Sequence, residues 1–261
     1  MLPILAFDIE TIPDILGLCK LYGIDAEGLT HREVAEIAFQ ERRAATGNDF
    51  LPLHLHRVVA ISCALREGEN FKVWSLGEPE DSEATLLQRF FDGVDKFTPQ
   101  LVSWNGGCFD LPVMHYRALI NKVVAPRYWD MGESDKDFKW NNYISRYHNR
   151  HLDLMDLLAL YQPRNNAPLD DLAQLCGFPG KLGMEGSKVW DAFQEGKIVE
   201  IRNYCETDAV NTYLLFLRFQ LMRGAVNKEQ YQRELELVGA ILSKSPQPHW
   251  KEFLSAGLAL V

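Results

Sequence analysis

No stretch of about 18 or more apolar residues, the length a transmembrane helix needs, occurs in the sequence, although 47% of its 261 residues are hydrophobic. The apolar content is therefore distributed for a core and not for a membrane. The N-terminal Met-Leu-Pro-Ile-Leu lacks a basic region and runs straight into Asp8, which argues against a secretory signal. The five cysteines (Cys19, Cys63, Cys108, Cys176 and Cys205) form neither a CxxC pair nor a zinc spacing. Free thiols in a reducing compartment are expected, and with them a cytoplasmic location. Neither GxGxxG nor GxxxxGK[ST] is present, and Gly106-Gly107 alone supports no dinucleotide or P-loop site. Positive charge is also scarce. Against 36 Asp and Glu there are 27 Lys and Arg, a net charge of −9, the wrong sign for an architectural protein that holds long nucleic acid by bulk electrostatics. An enzyme that grips a few phosphates through bound cations is not excluded.

What is present begins with Ile4-Leu5-Ala6-Phe7-Asp8-Ile9-Glu10-Thr11, which reads as a first strand. Strand side chains alternate faces, so Asp8 and Glu10 point the same way. Two carboxylates on one face of a strand otherwise fit for burial are costly unless paired or bound to a cation. A divalent metal is the obvious relief.

Further along, Thr30 and Glu33 form a capping-box pattern that predicts a helix over about 31–45. Residues 12–29 read as loop and short turn. The runs Val58–Leu65 and Phe71–Leu76 predict an antiparallel hairpin. Helical spacing follows in 80–91, a short buried strand at 101–104, and a helix over 110–120 with Pro112 in its first turn. Residues 152–160 are either a short strand entering a helix or the first turns of that helix. A long helix is expected over about 197–222, and more helix over 227–242 and 250–258. This order fits a mixed α/β sheet with helices on its faces.

Two further stretches carry candidate chemistry. Asn105-Gly106-Gly107-Cys108-Phe109-Asp110 lies where a strand gives way to a helix, although Asp110 could be no more than a helix cap and Phe109 plain core. Tyr204 and Asp208 are i,i+4 on the long helix and share a face. Asp153 breaks an apolar run and reads as a cap or an outer support. Lys181 and Lys188 flank a glycine-rich loop and are either phosphate contacts or simply solvated.

Taken together, the sequence resembles the 3′–5′ exonucleases with four acidic residues, in the tyrosine-containing DEDDy branch of the RNase H-like, DnaQ-like superfamily. Within that branch it is most similar to stand-alone relatives of the proofreading domain of family B DNA polymerases. Asp8, Glu10 and Thr11 match the first motif, Asn105, Phe109 and Asp110 the second, and Tyr204 and Asp208 the third. The sister branch places a histidine five residues before the last Asp, where this chain has Asn203. The resemblance covers about residues 3–222.

The resemblance implies an RNase H-like mixed five-stranded sheet flanked by helices. The domain would span 1–222, with a helical insert at about 20–56 and an aromatic and basic excursion at about 121–151. It implies a two-metal site in which Asp8, Glu10, Asp110 and Asp208 hold Mg²⁺ or Mn²⁺, with Tyr204 positioning the attacking water. The expected activity is release of nucleoside 5′-monophosphates from single-stranded 3′ ends, DNA before RNA. A ribonuclease, a short-oligonucleotide hydrolase, or an inactive binding module on the same fold are the alternatives. Thr11, Asn105 and Phe109 are expected to contact substrate. Trp129 and Tyr143 are candidates to stack on bases, or else pack the excursion onto the domain. The helices of 223–261 either cover the same domain or form an interface for a second copy or a replication or repair partner.

Overall fold

The computed structural model describes residues 2–258. Its centre is β1 (Ile4–Pro13). On one side β2 (His56–Glu67) runs antiparallel to β1, and β3 (Asn70–Ser75) antiparallel to β2. On the other, β4 (Gln100–Ser103) and β5 (His151–Asp153) run parallel to β1. The mixed five-stranded sheet therefore has the order β3-β2-β1-β4-β5.

After β1 the chain forms α1 (Ile15–Tyr22) and α2 (His31–Thr46). Thr30 and Glu33 make the expected capping box, the Glu33 N–H donating to Thr30 Oγ1 at 3.2 Å and the Thr30 N–H to Glu33 Oε2 at 2.7 Å. This insert has its own small core of Leu18, Val34, Ala38, Leu51 and Leu55. It begins with α1, not at about residue 20, because Asp14 caps that helix and accepts from the Gly17 N–H at 3.2 Å.

Leu5, Phe7 and Ile9 point to one face of the sheet, where α3 (Glu83–Phe97), α4 (Asp110–Asn121) and the short α5 (Pro126–Trp129) cover them. Between β5 and the long helix lie α6 (Leu154–Leu158), α7 (Leu169–Leu175) and α8 (Val189–Gln194). Residues 152–160 are thus a strand entering a helix, the first of the two readings.

The other face is lined by small side chains. Ala6 sits opposite Ala64 on β2 and Val102 on β4, and this flat floor lets α9 (Ile198–Met222) approach closely. Above it, α10 (Lys228–Leu242) and α11 (Pro248–Ser255) bury Tyr231, Leu235, Trp250 and Phe253 in the same core. Residues 259–261 of the expected C-terminal extension lie outside the described part. No described helix is long and apolar enough to cross a membrane.

Candidate active site

The alternation of β1 turns Asp8 and Glu10, like Ala6, toward α9. That helix presents Asp208 from the opposite side, and carboxylate oxygens of Asp8, Glu10 and Asp208 lie within 4.8 Å of one another. Asp110 reaches the group by a different route. The pairing of β4 with β1 stops at Ala6 and Val102, so the rest of β1 is open on that edge. The connection after β4 brings the start of α4 toward this edge, near enough for the Ile9 amide to favour the ionised Asp110 carboxyl and for Asp110 to raise both β1 acids. Asp110 is not a cap: the cap position belongs to Phe109, and no side chain caps that end.

The connection itself is tightly determined. Asn105 takes a left-handed conformation, φ 68°, which asparagine tolerates better than most residues. A Cβ on Gly106 would lie 2.3 Å from Ser103 Oγ, so only glycine fits there. Asp153 supports the turn from below. Its carboxylate accepts from the Asn105 and Gly107 N–H groups at 3.0 and 2.8 Å and also caps α6. Asp153 is therefore a scaffold for the loop; the carboxylates within 4.8 Å of one another are Asp8, Glu10 and Asp208, and neither Asp110 nor Asp153 is among them.

Burial disfavours ionisation of all four acids. It pushes Asp8 and Glu10 well above the usual carboxylate range, and the neighbouring carboxylates push both further. Asp110 is raised to about 7, mainly by burial and against the pull of its own and the Ile9 amide. Asp208 is raised to about 6 by burial, opposed by the Lys181 ammonium and the Tyr204 hydroxyl. Tyr204, one helical turn before Asp208, is pushed far above the usual phenol by burial and then by the three nearest carboxylates. It remains a hydrogen-bond donor across the physiological range.

Lys181 carries more weight here than its sequence context suggests. Its Nζ lies 5.6 Å from the Tyr204 ring centroid, and its charge favours ionised Glu10 and Asp208. The Lys181 N–H donates to Asp170 at 2.7 Å, and Asn211 Nδ2 donates to the Gly180 carbonyl at 2.9 Å, which together fix the loop beside the acids.

Beside Glu10 opens a groove of about 740 Å³, lined by Thr11, Phe50, His56, Phe109 and Trp190 among others. The Thr11 hydroxyl meets His56 Nδ1 at 3.0 Å, while His56 Nε2 lies 3.1 Å from the Leu51 carbonyl. Phe109 packs on His56 edge-on at 5.3 Å. Thr11 and Phe109 thus reach the groove, and Asn105 shapes the loop next to it. The excursion behaves otherwise. Tyr143 is 2% exposed, stacks on Tyr128 at 5.4 Å and donates its hydroxyl to the Pro99 carbonyl at 2.6 Å. It is a core residue, and the stacking role expected for it is corrected. Trp129 is 48% exposed but leans on His115 and Tyr128, and it is not among the residues lining the groove.

The fold is similar to that of the family B DNA polymerase from the hyperthermophilic archaeon Pyrobaculum calidifontis, with a TM-score of 0.52 and 19% identity over 92% of this chain. The chain spans about a quarter of that polymerase, 26% of its length. Among curated proteins none matches it in sequence. Residues 48–257 match the family described as predicted 3′–5′ exonucleases related to the exonuclease domain of PolB. The match holds Asn105, Asp110, Tyr204 and Asp208, and it runs through α10 and α11, beyond the 3–222 that the motifs alone cover. Since it takes in most of the sequence, the chain belongs to this family of predicted 3′–5′ exonucleases.

Proposed function

We propose that the protein is a metal-dependent 3′–5′ exonuclease that hydrolyses phosphodiester bonds at single-stranded 3′ ends, DNA before RNA, and releases nucleoside 5′-monophosphates. The observation that carries this reading is the convergence of Asp8, Glu10 and Asp208 within 4.8 Å of one another, with Asp110 near enough to raise the Asp8 and Glu10 carboxyls. Three buried carboxylates and the half-buried Asp8 repel one another, and such an arrangement persists where a cation offsets it. The donor set is all oxygen, which suits Mg²⁺ or Mn²⁺. Asp208 Oδ1 is buried without a hydrogen-bond partner, as expected of an oxygen kept for a metal. Asp8, Glu10 and Asp208, with Asp110, would hold two divalent cations. Bound there, such cations would supply acidification of a water and stabilisation of charge on the departing oxygen.

The chain's own groups do the positioning. The Tyr204 hydroxyl, kept protonated, donates to the attacking water and orients it. Lys181 places a positive charge where a phosphate would sit. The aromatic walls of the groove suit an unpaired terminal base.

Linkage between protons, cations and stability gives one test. In chelator, the contribution of Asp110 and Asp208 to stability should fall as pH rises from about 4 to about 7. Their folded values, about 7 and about 6, lie above the ordinary 3.8, so the folded state holds protons that the unfolded chain releases across that window. At pH 8, Mn²⁺ at about 100 times its Kd should restore about 2.7 kcal/mol, or roughly 5–10 °C in Tm for a chain of this size. At pH 5, where protons compete, the shift should shrink. A Tm increment indifferent to pH would count against cation binding at these acids.

End-labelled oligonucleotides test the activity. With Mn²⁺ or Mg²⁺, a 3′ label should leave first as a mononucleotide, and a 5′-labelled strand should shorten in a ladder. Hydrolysis undiminished in excess chelator, or internal cleavage, would defeat the proposal. Parallel RNA substrates separate the ribonuclease reading.

A further inference from the structure

On the flank of α9 turned away from the acids lies a buried polar relay. At 3.6 residues per turn, Glu206 sits about 200° round the helix from both Tyr204 and Asp208. Its Oε1 accepts from the Ser75 N–H at 2.9 Å and the Ser75 hydroxyl at 2.8 Å. Ser75 in turn meets Ser62 at 2.9 Å. Ser62 is the residue opposite Asp8 in the pairing of β1 with β2, and Cys205 Sγ donates to the Asp8 carbonyl at 3.2 Å. A row across three strands therefore runs from Asp8 to Ser75 and ends at Glu206.

On the far side Glu206 faces the C-terminal helix. His249 Nε2 on α11 lies 3.2 Å from Glu206 Oε2, with both side chains nearly buried. Among the described residues Oε2 has no other partner; the approach of His249 is an ion-pair distance without hydrogen-bond geometry, and both ring nitrogens of His249 are buried with no hydrogen-bond partner. The Arg202 guanidinium, one turn earlier on α9, donates to the carbonyls of Leu76 and Gly77 at 3.1 and 2.6 Å. The flank is thus fixed at two points, one within the exonuclease sheet and the other dependent on α11.

We infer that His249 is a positioning residue for the acidic cluster: through Glu206 it sets the rotation of α9, and so the place of Asp208 and Tyr204 against Asp8. The inference rests on the proposed function. Its physical basis is a lever. Side-chain ends lie about 6 Å from a helix axis, so a rotation of roughly 10° moves the Asp208 carboxylate by about 1 Å. A displacement of that size spoils a metal or reaction geometry without unfolding anything. The extension is thereby part of the machinery and not only a cover for the core.

The test compares His249→Phe, which keeps a ring against Trp250 (4.3 Å away) but removes both nitrogens, with His249→Gln, which keeps a donor. Mn²⁺ binding is read by electron paramagnetic resonance, apart from any turnover. His249→Phe should weaken Mn²⁺ binding and lower kcat by about 10-fold, with KM for a single-stranded oligonucleotide and the metal-free Tm near wild type. His249→Gln should recover most of the loss. If His249→Phe fails to fold, Ser75→Ala removes the hydroxyl but not the N–H that Glu206 accepts from, and should give the same split to a smaller degree. Wild-type Mn²⁺ affinity and kcat in the Phe variant, or equal losses in the Phe and Gln variants, would overturn the inference. A wild-type protein that neither binds Mn²⁺ nor trims oligonucleotides would defeat the proposed function instead.

Discussion

Asp208→Asn should lower kcat by about three orders of magnitude and, in the same protein, raise the metal-free Tm. The first effect corresponds to about 4 kcal/mol of lost transition-state stabilisation, the scale of an oxygen ligand removed from a shared metal site. The second follows from burial. Raising the Asp208 carboxyl from 3.8 to about 6 means that its ionised form is disfavoured by roughly 3 kcal/mol. Part of that returns when a neutral side chain of the same shape takes its place. At pH 8 the gain should be about 1 kcal/mol, or roughly 2–4 °C, and Mn²⁺ should no longer add its increment. Asp8→Ala should be equally inactive. The opposite signs are diagnostic, because an acid kept for structure would lose stability and leave turnover intact. Calorimetry in chelator beside a single-turnover assay reads both. Retained activity in either variant would sink the two-metal reading.

The signals that point to this site are local and periodic. Alternation alone puts Asp8 and Glu10 on one face, and helical spacing puts Tyr204 and Asp208 on another; both are properties of a few consecutive residues. The capping box of α2 is legible for the same reason. Short elements are not. Residues 12–29 read as loop because Pro13 and Gly17 are common turn formers, yet Asp14 caps α1 there. The six residues of α8 give too little periodicity to show. Composition misleads at Tyr143, since an aromatic among cations looks the same whether it stacks on a base or, as in this fold, on Tyr128. Lys181 and His249 depend on partners far along the chain. Asn211 holds the turn before Lys181 from 31 residues away, and Glu206 lies 43 positions before His249. No pattern within one segment encodes such a meeting.

Arg117 depends on distant partners in the same way, and Arg117→Ala should destabilise the fold by about 3–5 kcal/mol, the opposite sign to Asp208→Asn. The side chain is only 4% exposed. Its Nε and Nη2 donate to the two Glu83 oxygens at 2.8 and 2.7 Å, a bidentate pair joining α4 to α3. Its Nη1 donates to Asp14 at 2.5 Å and to the His54 carbonyl at 3.2 Å, joining both to the ends of the insert. Glu83 also accepts from the Val58 N–H at 2.7 Å and from Asn121 at 2.9 Å. Removing the guanidinium leaves two carboxylates in apolar surroundings with their cation gone, and that stranded charge, more than the lost bonds, sets the size of the effect. A Tm lowered by roughly 10–15 °C is expected. Arg117→Lys keeps the charge but not the planar fork and should fall between wild type and the alanine variant. The damage should also reach the site, because α4 opens with Asp110 two turns before Arg117 and β1 ends at Pro13 next to Asp14. Weaker Mn²⁺ binding should therefore accompany the lower Tm. If Arg117→Ala instead melts within about 2 °C of wild type, less than 1 kcal/mol, the buried guanidinium is not what ties the insert to the exonuclease sheet.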